Sequence, residues 1–270
     1  MYFACDIGGT QMRIARSDDL VKFDEPIIEP TPKRPADGIQ LLIETILRMA
    51  NGGPIRAVAI GIAGVLNEQH SMIVKSPHLG DWEKIPLKEK LERALNSEVF
   101  IENDTAIVGL GEAVAGAGRG YKNVVYMTIS TGIGGVKIVE GEFEHNKFGF
   151  EPGHQILNNE TGATFEDLCS GTSVEKKFGV APKKVAQTDA WDTIETNTAI
   201  GVYNSILHWS PDVVVLGGSM SRDFNAERIS KKLAMFMKIH PALPDICIAE
   251  LGSIGGIHGG FAYLKKRVKN

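Results

Sequence analysis

Two short segments pair a glycine turn with residues suited to phosphate chemistry. Residues 3–14, FACDIGGTQMRI, and residues 127–138, MTISTGIGGVKI, share one outline: an apolar run, polar residues, a Gly-Gly pair and a second apolar run. A glycine turn between strands lets the backbone approach a ligand closely and aim its N–H groups at an anion. Asp6 and Thr10 flank Gly8 and Gly9 in the first turn, and Ser130, Thr131 and Gly132 lead the second. Hydroxyls and bare amides suit phosphate oxygens, while a carboxylate suits the metal that accompanies them. Taken singly, each turn also reads as a plain hairpin, for which Gly-Gly is well fitted. A third site, VVVLGGSMS at 213–221, sets Gly217 and Gly218 at the carboxyl end of an apolar strand, where open α/β sheets bind ligands. There is no GxxxxGK[ST], and GAGRG at 116–120 follows a helical pattern rather than a strand, so neither a P-loop nor a dinucleotide fingerprint is present. The segment ENDTA (102–106) places Asn103 and Asp104 where a strand enters a helix. Asp104 there reads either as a helix-capping carboxylate or as a general base for a hydroxyl attacking a phosphoryl group.

The elements that must position these residues alternate between strand and helix. Residues 2–7 and 11–16 read as two strands around the first turn, and 37–50 as a helix capped by Asp37 and closed before Asn51-Gly52-Gly53. A buried strand spans 55–66, a helix 86–95, a strand 98–104, and a helix rich in Gly and Ala spans 105–118, which predicts close packing against another backbone. After a link at 119–122 the pattern restarts with a second glycine-turned hairpin at 123–130 and 134–143. A long helix at 188–209, a buried strand at 211–221, a helix at 229–237, a strand at 245–251 and a helix at 259–267 follow. The class is α/β, and the repeat is of whole domains.

Composition narrows the function classes. Of 270 residues, 43% are hydrophobic and 23% charged, ordinary for a soluble globular enzyme with a sizeable core. A net charge of −4 supplies no field to hold nucleic acid or an anionic membrane. Cys5, Cys169 and Cys247 form no CxxC pair, and free thiols in a reducing compartment are expected. The start has neither the basic region nor the apolar core of a leader, so a cytoplasmic location is expected.

DIGGT, END before a small-residue helix, STGIGG, EPGH, the segment EDLCSG at 166–171 and VVLGGS stand in an order and spacing that resembles the ROK family of sugar kinases (repressor, open reading frame, kinase) and the related bacterial glucokinases. The resemblance covers residues 3 to about 262. It implies the actin-like ATPase fold of sugar kinases and heat-shock proteins, two similar α/β lobes around a cleft. Residues 1–118 would form the N-terminal lobe, to which a closing helix at 258–270 returns, and 119–257 the C-terminal lobe. The implied reaction is transfer of the γ-phosphoryl group of ATP to the 6-hydroxyl of a hexose, with glucose as first expectation and Mg²⁺ entering with ATP, near Asp6. Asp104 would be the catalytic base, and Gly64, Asn103, Glu151, His154 and Glu166 the sugar-binding residues. Asp6, Gly8, Gly9, Thr10, Thr131 and Gly132 would hold the phosphates, and Gly217 and Gly218 would border the adenosine.

Two departures from the family pattern stand out. Members typically follow the histidine of EPGH with a cysteine cluster that binds zinc with it; here GHQILNNETGATFEDLCSG keeps Cys169 alone, so no structural zinc is expected. In SPHLGDW (76–82), His78 stands where the family often has Asn. A sugar-responsive repressor would need a helix-turn-helix ahead of Asp6, and none is expected; the retained Asp104 argues against a non-catalytic sugar-binding protein. An N-acylhexosamine, mannose or fructose as acceptor and polyphosphate as donor are the alternatives within the kinases, and a homodimer is the family expectation.

Overall fold

The computed structural model describes residues 1–144, 146–147 and 149–268. The last two positions of the closing helix expected at 258–270 lie outside the described residues. Along the chain run β1 (Tyr2–Ile7), β2 (Gln11–Ser17), β3 (Ile27–Pro30), α1 (Pro35–Ala50), β4 (Ala57–Ile62), β5 (Val65–Leu66), β6 (Ile73–Lys75), α2 (Leu87–Leu95), β7 (Glu98–Asn103) and α3 (Asp104–Ala115). Then follow β8 (Asn123–Ile129), β9 (Ile133–Val139), β10 (Glu142–Phe143), α4 (Phe165–Cys169), α5 (Gly171–Phe178), α6 (Pro182–Val185), α7 (Ala190–Trp209), β11 (Val213–Gly217), α8 (Ala226–Phe236), β12 (Asp245–Ile248) and α9 (Gly255–Arg267). The chain divides into two compact units, one of residues 1–111 with 253–268 and one of Glu112–Gly252.

The first unit holds a sheet in the order β3-β2-β1-β4-β7. β1 and β2 pair antiparallel across the first glycine turn, while β1, β4 and β7 run parallel. β4 is buried along its whole length, as the apolar run AVAIGI requires of a strand covered on both faces. The core gathers Phe3, Ile7, Ile14, Leu42, Ile46, Ile60, Leu91 and Trp82. α1 contributes its Ile39–Leu42–Ile46 stripe. Proline opens that helix at Pro35, with Arg34 before it, so Asp37 sits inside the first turn rather than at the cap; the preset φ of proline fixes the start two residues ahead of the acidic residue.

α9 packs on β1 and β4, and α3 meets it at backbone distance. A Cβ on Gly259 would overlap the Ile107 carbonyl, and one on Gly111 would overlap that of Gly255, so the Gly-rich composition of both helices is what lets them touch.

The second unit repeats the plan in the order β10-β9-β8-β11-β12: an antiparallel hairpin, then parallel β8, β11 and β12. Its core collects Met127, Ile129, Phe165, Trp191, Val202, Leu216 and Leu233, and Cys169 is buried among them. Burial pushes that thiol up to about 12, as expected of an inert structural cysteine. No helix among the described residues is long and apolar enough to cross a membrane.

Glu112 has no counterpart in the sequence reading. Its side chain is buried, 1% exposed, and its carboxylate accepts three backbone N–H bonds: Ala117 at 3.0 Å, Glu250 at 3.1 Å and Leu251 at 2.8 Å. It thereby ties the segment after α3 to the segment after β12 within the second unit. Glu112→Ala strips three part-buried N–H donors of their charged acceptor, at ~1–3 kcal/mol for each bond lost. We expect urea unfolding to show a loss of about 3 kcal/mol or more, with Glu112→Gln losing less because one amide oxygen still accepts.

Candidate active site

In the first unit the DIGGT turn, the Ala63–Gly64 corner and the start of α3 are joined by direct contacts. The turn closes through Gly8 N–H donating to Gln11 O at 3.0 Å, and Thr31 fixes it from β3's end, its N–H donating to Thr10 O at 2.9 Å and its hydroxyl to Gly8 O at 2.7 Å. Gly9 and Thr10 stay exposed. Asn103 closes β7 with both ends of its amide engaged: Nδ2 donates to Gly64 O at 3.0 Å, and Oδ1 accepts from Ala106 N–H at 3.1 Å. The second bond is the N-cap bond of α3, so Asn103 caps the helix. Asp104 is therefore not consumed by that role; it is the first helical residue, and its Oδ1 accepts from Thr105 N–H at 2.7 Å.

Asp6 and Asp104 both resist ionisation. Burial raises Asp104 above the usual carboxylate range, opposed by bonds from Thr105 and the charge of His78. Burial first, then the Asp104 charge, push Asp6 up to about 7, against the pull of Arg13. The Arg13 guanidinium lies 3.6 Å from Asp6, and the amino end of α9 at Gly256 packs over the same carboxyl. Perturbation of this kind, from desolvation plus a like charge, marks groups set up for proton chemistry or for a cationic ligand.

In the second unit the STGIGG turn gathers the other candidates. Glu166, at the start of α4, accepts from Ile133 N–H at 2.6 Å and lies against Gly132. The capping box of Thr164 and Asp167 holds α4 in place, which fixes Glu166. The EPGH segment packs on β9, with Pro152 over Gly135 and Gly153 against the Ile133 carbonyl. Glu151 and His154 are exposed there. Desolvation raises the Glu151 carboxyl, His154 lowers it and Glu166 raises it, so the three groups share one electrostatic neighbourhood. The β11 loop closes on the same turn: Met220 N–H donates to Ile129 O at 3.0 Å, and the Ser130 and Ser219 hydroxyls are 3.0 Å apart. Gly218 has φ +88° and no room for a side chain against Ile129, so glycine is required there.

The structure thus brings Asp6, Gly8, Gly9, Thr10, Gly64, Asn103 and Asp104 together in the first unit. Thr131, Gly132, Glu151, His154, Glu166, Gly217 and Gly218 gather in the second. Sequence reasoning missed Ser219 and Arg13. Arg13 carried a readable signal, since it lies one strand turn from Asp6 across a hairpin, opposite it in register. Among the described residues no group of three or more His, Cys, Asp and Glu is arranged to hold a metal.

The model of the ROK family matches residues 2–267. The chain belongs to the ROK family. A glucokinase of Thermotoga maritima is 25% identical over 97% of this chain and 96% of its own. An N-acetylgalactosamine kinase of Shewanella is 26% identical over 96% of this chain and 95% of its own. The crystal structure of a ROK family glucokinase from Streptomyces griseus, in complex with glucose and AMPPNP, superposes with a TM-score of 0.78 at 20% identity, covering 98% of this chain and 99% of that one. The fold is that of the actin-like ATPases.

Asp6 makes stability depend on pH in a defined direction. The folded state binds its proton between about pH 4, where a free aspartate titrates, and pH 7, so stability falls as pH rises through that window. Urea unfolding across this range should show the decline in the wild type and a flatter profile in Asp6→Asn.

Proposed function

We propose that this sugar kinase transfers the γ-phosphoryl group of ATP to the 6-hydroxyl of a hexose, with glucose the favoured acceptor. Asp104 carries the reading. It is a desolvated carboxylate at a fixed backbone position, with the capping work done by its neighbour Asn103. As a base it would take the proton of the attacking hydroxyl while the oxygen–phosphorus bond forms and ADP departs. Its raised affinity for a proton makes it a stronger acceptor than a free aspartate.

Asn103 and the Gly64 backbone are the candidate sugar ligands of the first unit, and Glu151, His154 and Glu166 those of the second. Vicinal hydroxyls both donate and accept, which suits carboxylates and an imidazole. Gly8, Gly9 and Thr10 are the candidate phosphate ligands of the first unit; in the second, Thr131 and Gly132 would hold phosphate and Gly217 and Gly218 border the adenosine. Positioning and charge neutralisation are most of what phosphoryl transfer requires.

Mg²⁺ would neutralise charge on the phosphates when bound. The residues fit an ion brought by ATP better than a resident one: Asp6 offers a single part-buried carboxylate near the first turn, and magnesium is commonly held by one or two carboxylates together with substrate phosphates. Structural zinc has no place in this reading, because Cys169 is buried in the core of the second unit. Protein purified without added zinc should contain well under one equivalent by metal analysis, and a chelator should leave its Tm unchanged.

The N-acetylgalactosamine kinase among the relatives makes an N-acylhexosamine the second acceptor to test. A panel of hexoses crossed with ATP and polyphosphate, followed by ADP or phosphosugar release, decides acceptor and donor together. We expect glucose with ATP to give the highest kcat/KM, and the absence of phosphoryl transfer to every sugar would overturn the reading. Asp104→Asn should keep the fold and sugar binding while lowering kcat by at least ~10²-fold.

A further inference from the structure

Glu151, His154 and Glu166 stand on two short stretches, the Pro152–His154 turn and the start of α4, and Gln155 ties both to α7. Its carboxamide nitrogen donates to two carbonyls, Pro152 O at 2.8 Å and Gly201 O at 3.1 Å. Its backbone N–H adds a bond of 3.4 Å to Pro152 O, and its own carbonyl accepts from Phe165 N–H at 2.9 Å. Pro152 follows Glu151, Gln155 follows His154 and Phe165 precedes Glu166. One residue thus holds the backbone beside all three candidate sugar ligands.

The ties close on one point of the helix. Phe165 is fully buried with its ring against Gly201, where a Cβ would overlap it. Gln155 and Phe165 therefore meet the same residue of α7, and they also bond each other. α7 runs for 20 residues, so Gly201 is an anchor set well inside a long helix. The intervening chain closes on itself: Leu157 and Asn158 N–H both donate to Ala163 O, at 2.9 and 3.1 Å. Asn158 Oδ1 fixes the bend by accepting from Glu160 and Thr161 N–H, each at 3.0 Å. On the other side, Gly153 packs on the carbonyl of Ile133, whose N–H is held by Glu166.

The residue type matters at this position. Both partners of the carboxamide are carbonyls, so its NH₂ must face them, and chemistry sets the orientation of the amide. Oε1 is then turned away, buried and bonded to no protein group. A buried acceptor left unpaired is a cost to the fold. An apolar side chain of similar length would avoid that cost, but it would lose both donors and release the turn from α7.

We propose that Gln155 is a positioning residue for the sugar ligands of the second unit: by holding the Pro152–His154 turn and the start of α4 on Gly201, it sets where Glu151, His154 and Glu166 present their polar atoms. The proposal rests on the kinase reading above, in which those three residues bind the hexose. Gln155 touches no substrate and moves no proton. A binding group is precise only when the bonds behind it lock its place. Misplacement by about 1 Å costs up to ~10²-fold in rate, so release of this tie is felt at the sugar. Asp104 and the first glycine turn belong to the other unit and keep their own supports.

The test compares the wild type with Gln155→Met, which keeps the length and loses both donors, and Gln155→Glu, which keeps the shape and turns oxygens toward the two carbonyls. With the best hexose of the panel, both variants should raise KM for the sugar about tenfold. KM for ATP should hold and kcat should change little, the signature of lost binding shared by ground and transition states. Gln155→Met should also keep a Tm close to that of the wild type. A purely structural role would lower Tm and the active fraction while leaving hexose KM unchanged, and a wild-type hexose KM in either variant overturns the proposal. Hydrogen exchange followed by mass spectrometry reads the tie without turnover. In Gln155→Met, peptides spanning 151–166 should exchange about tenfold faster, with those of β8 and β11 unchanged. Unaltered protection of 151–166 refutes the tie even where no sugar is phosphorylated. Faster exchange in a protein whose wild type phosphorylates no sugar would sink the kinase reading and leave the tie standing.

Discussion

The first unit is organised around two carboxylates that burial holds away from water. Transfer from water raises the cost of charge on Asp6 and Asp104, and at Asp6 the charge of Asp104 raises it further. The surrounding features follow from that constraint. Arg13 approaches Asp6 from β2, the glycines at the start of α9 bring backbone close where a side chain would not fit, and His78 packs over Gly9 from a loop tied down by Ser76. Asn103 relieves Asp104 of the capping duty that a strand-to-helix junction would normally assign to an aspartate. Leaving a charge uncompensated in a fold is destabilising, and such local cost is common where function rather than stability selects the residue.

The second unit meets the corresponding problem with amides and hydroxyls. Its glycine turn carries no carboxylate of its own; Glu166 arrives from α4 and accepts the Ile133 N–H directly behind the turn. That bond makes one side chain answer to two tasks, since the oxygen that braces the turn belongs to the same carboxyl proposed for the sugar. The Ser130–Ser219 contact and the close approach of Gly218 to Ile129 then lock the third glycine site onto the second. Three weak sequence signals thus resolve into one turn in the first unit and a joined pair in the second.

What was legible in the sequence was whatever a short window encodes. The hairpins around Gly8-Gly9 and 130–132, the buried strand of β4, and the long helix α7 follow from local periodicity and turn chemistry. The family resemblance supplied the roles, which no window contains. Helices α4, α5 and α6 went unread because they are short, and two- and three-residue strands such as β5 and β6 carry no period at all. Glu112 was invisible for a different reason: its partners at 250–251 are far along the chain, and nothing in GLGEAV distinguishes a carboxylate in solvent from one bonded to three amides. Asp37 failed for a local reason, a proline two positions earlier that sets the helix start first.

The two units share a strand plan, antiparallel hairpin followed by parallel strands, yet carry unlike chemistry at the equivalent turn. The difference fits the roles proposed for the two turns. A carboxylate beside a turn suits the cation that accompanies phosphate, the role proposed for Asp6. A group that merely holds phosphate oxygens or sugar hydroxyls does better with fixed N–H and O–H dipoles, which add no negative charge beside an anion. A duplicated fold makes that division accessible. The backbone that forms the turn is set by the hairpin and its glycines, so the residues beside it are free to differ: Asp6 in one copy, Ser130 and Thr131 in the other.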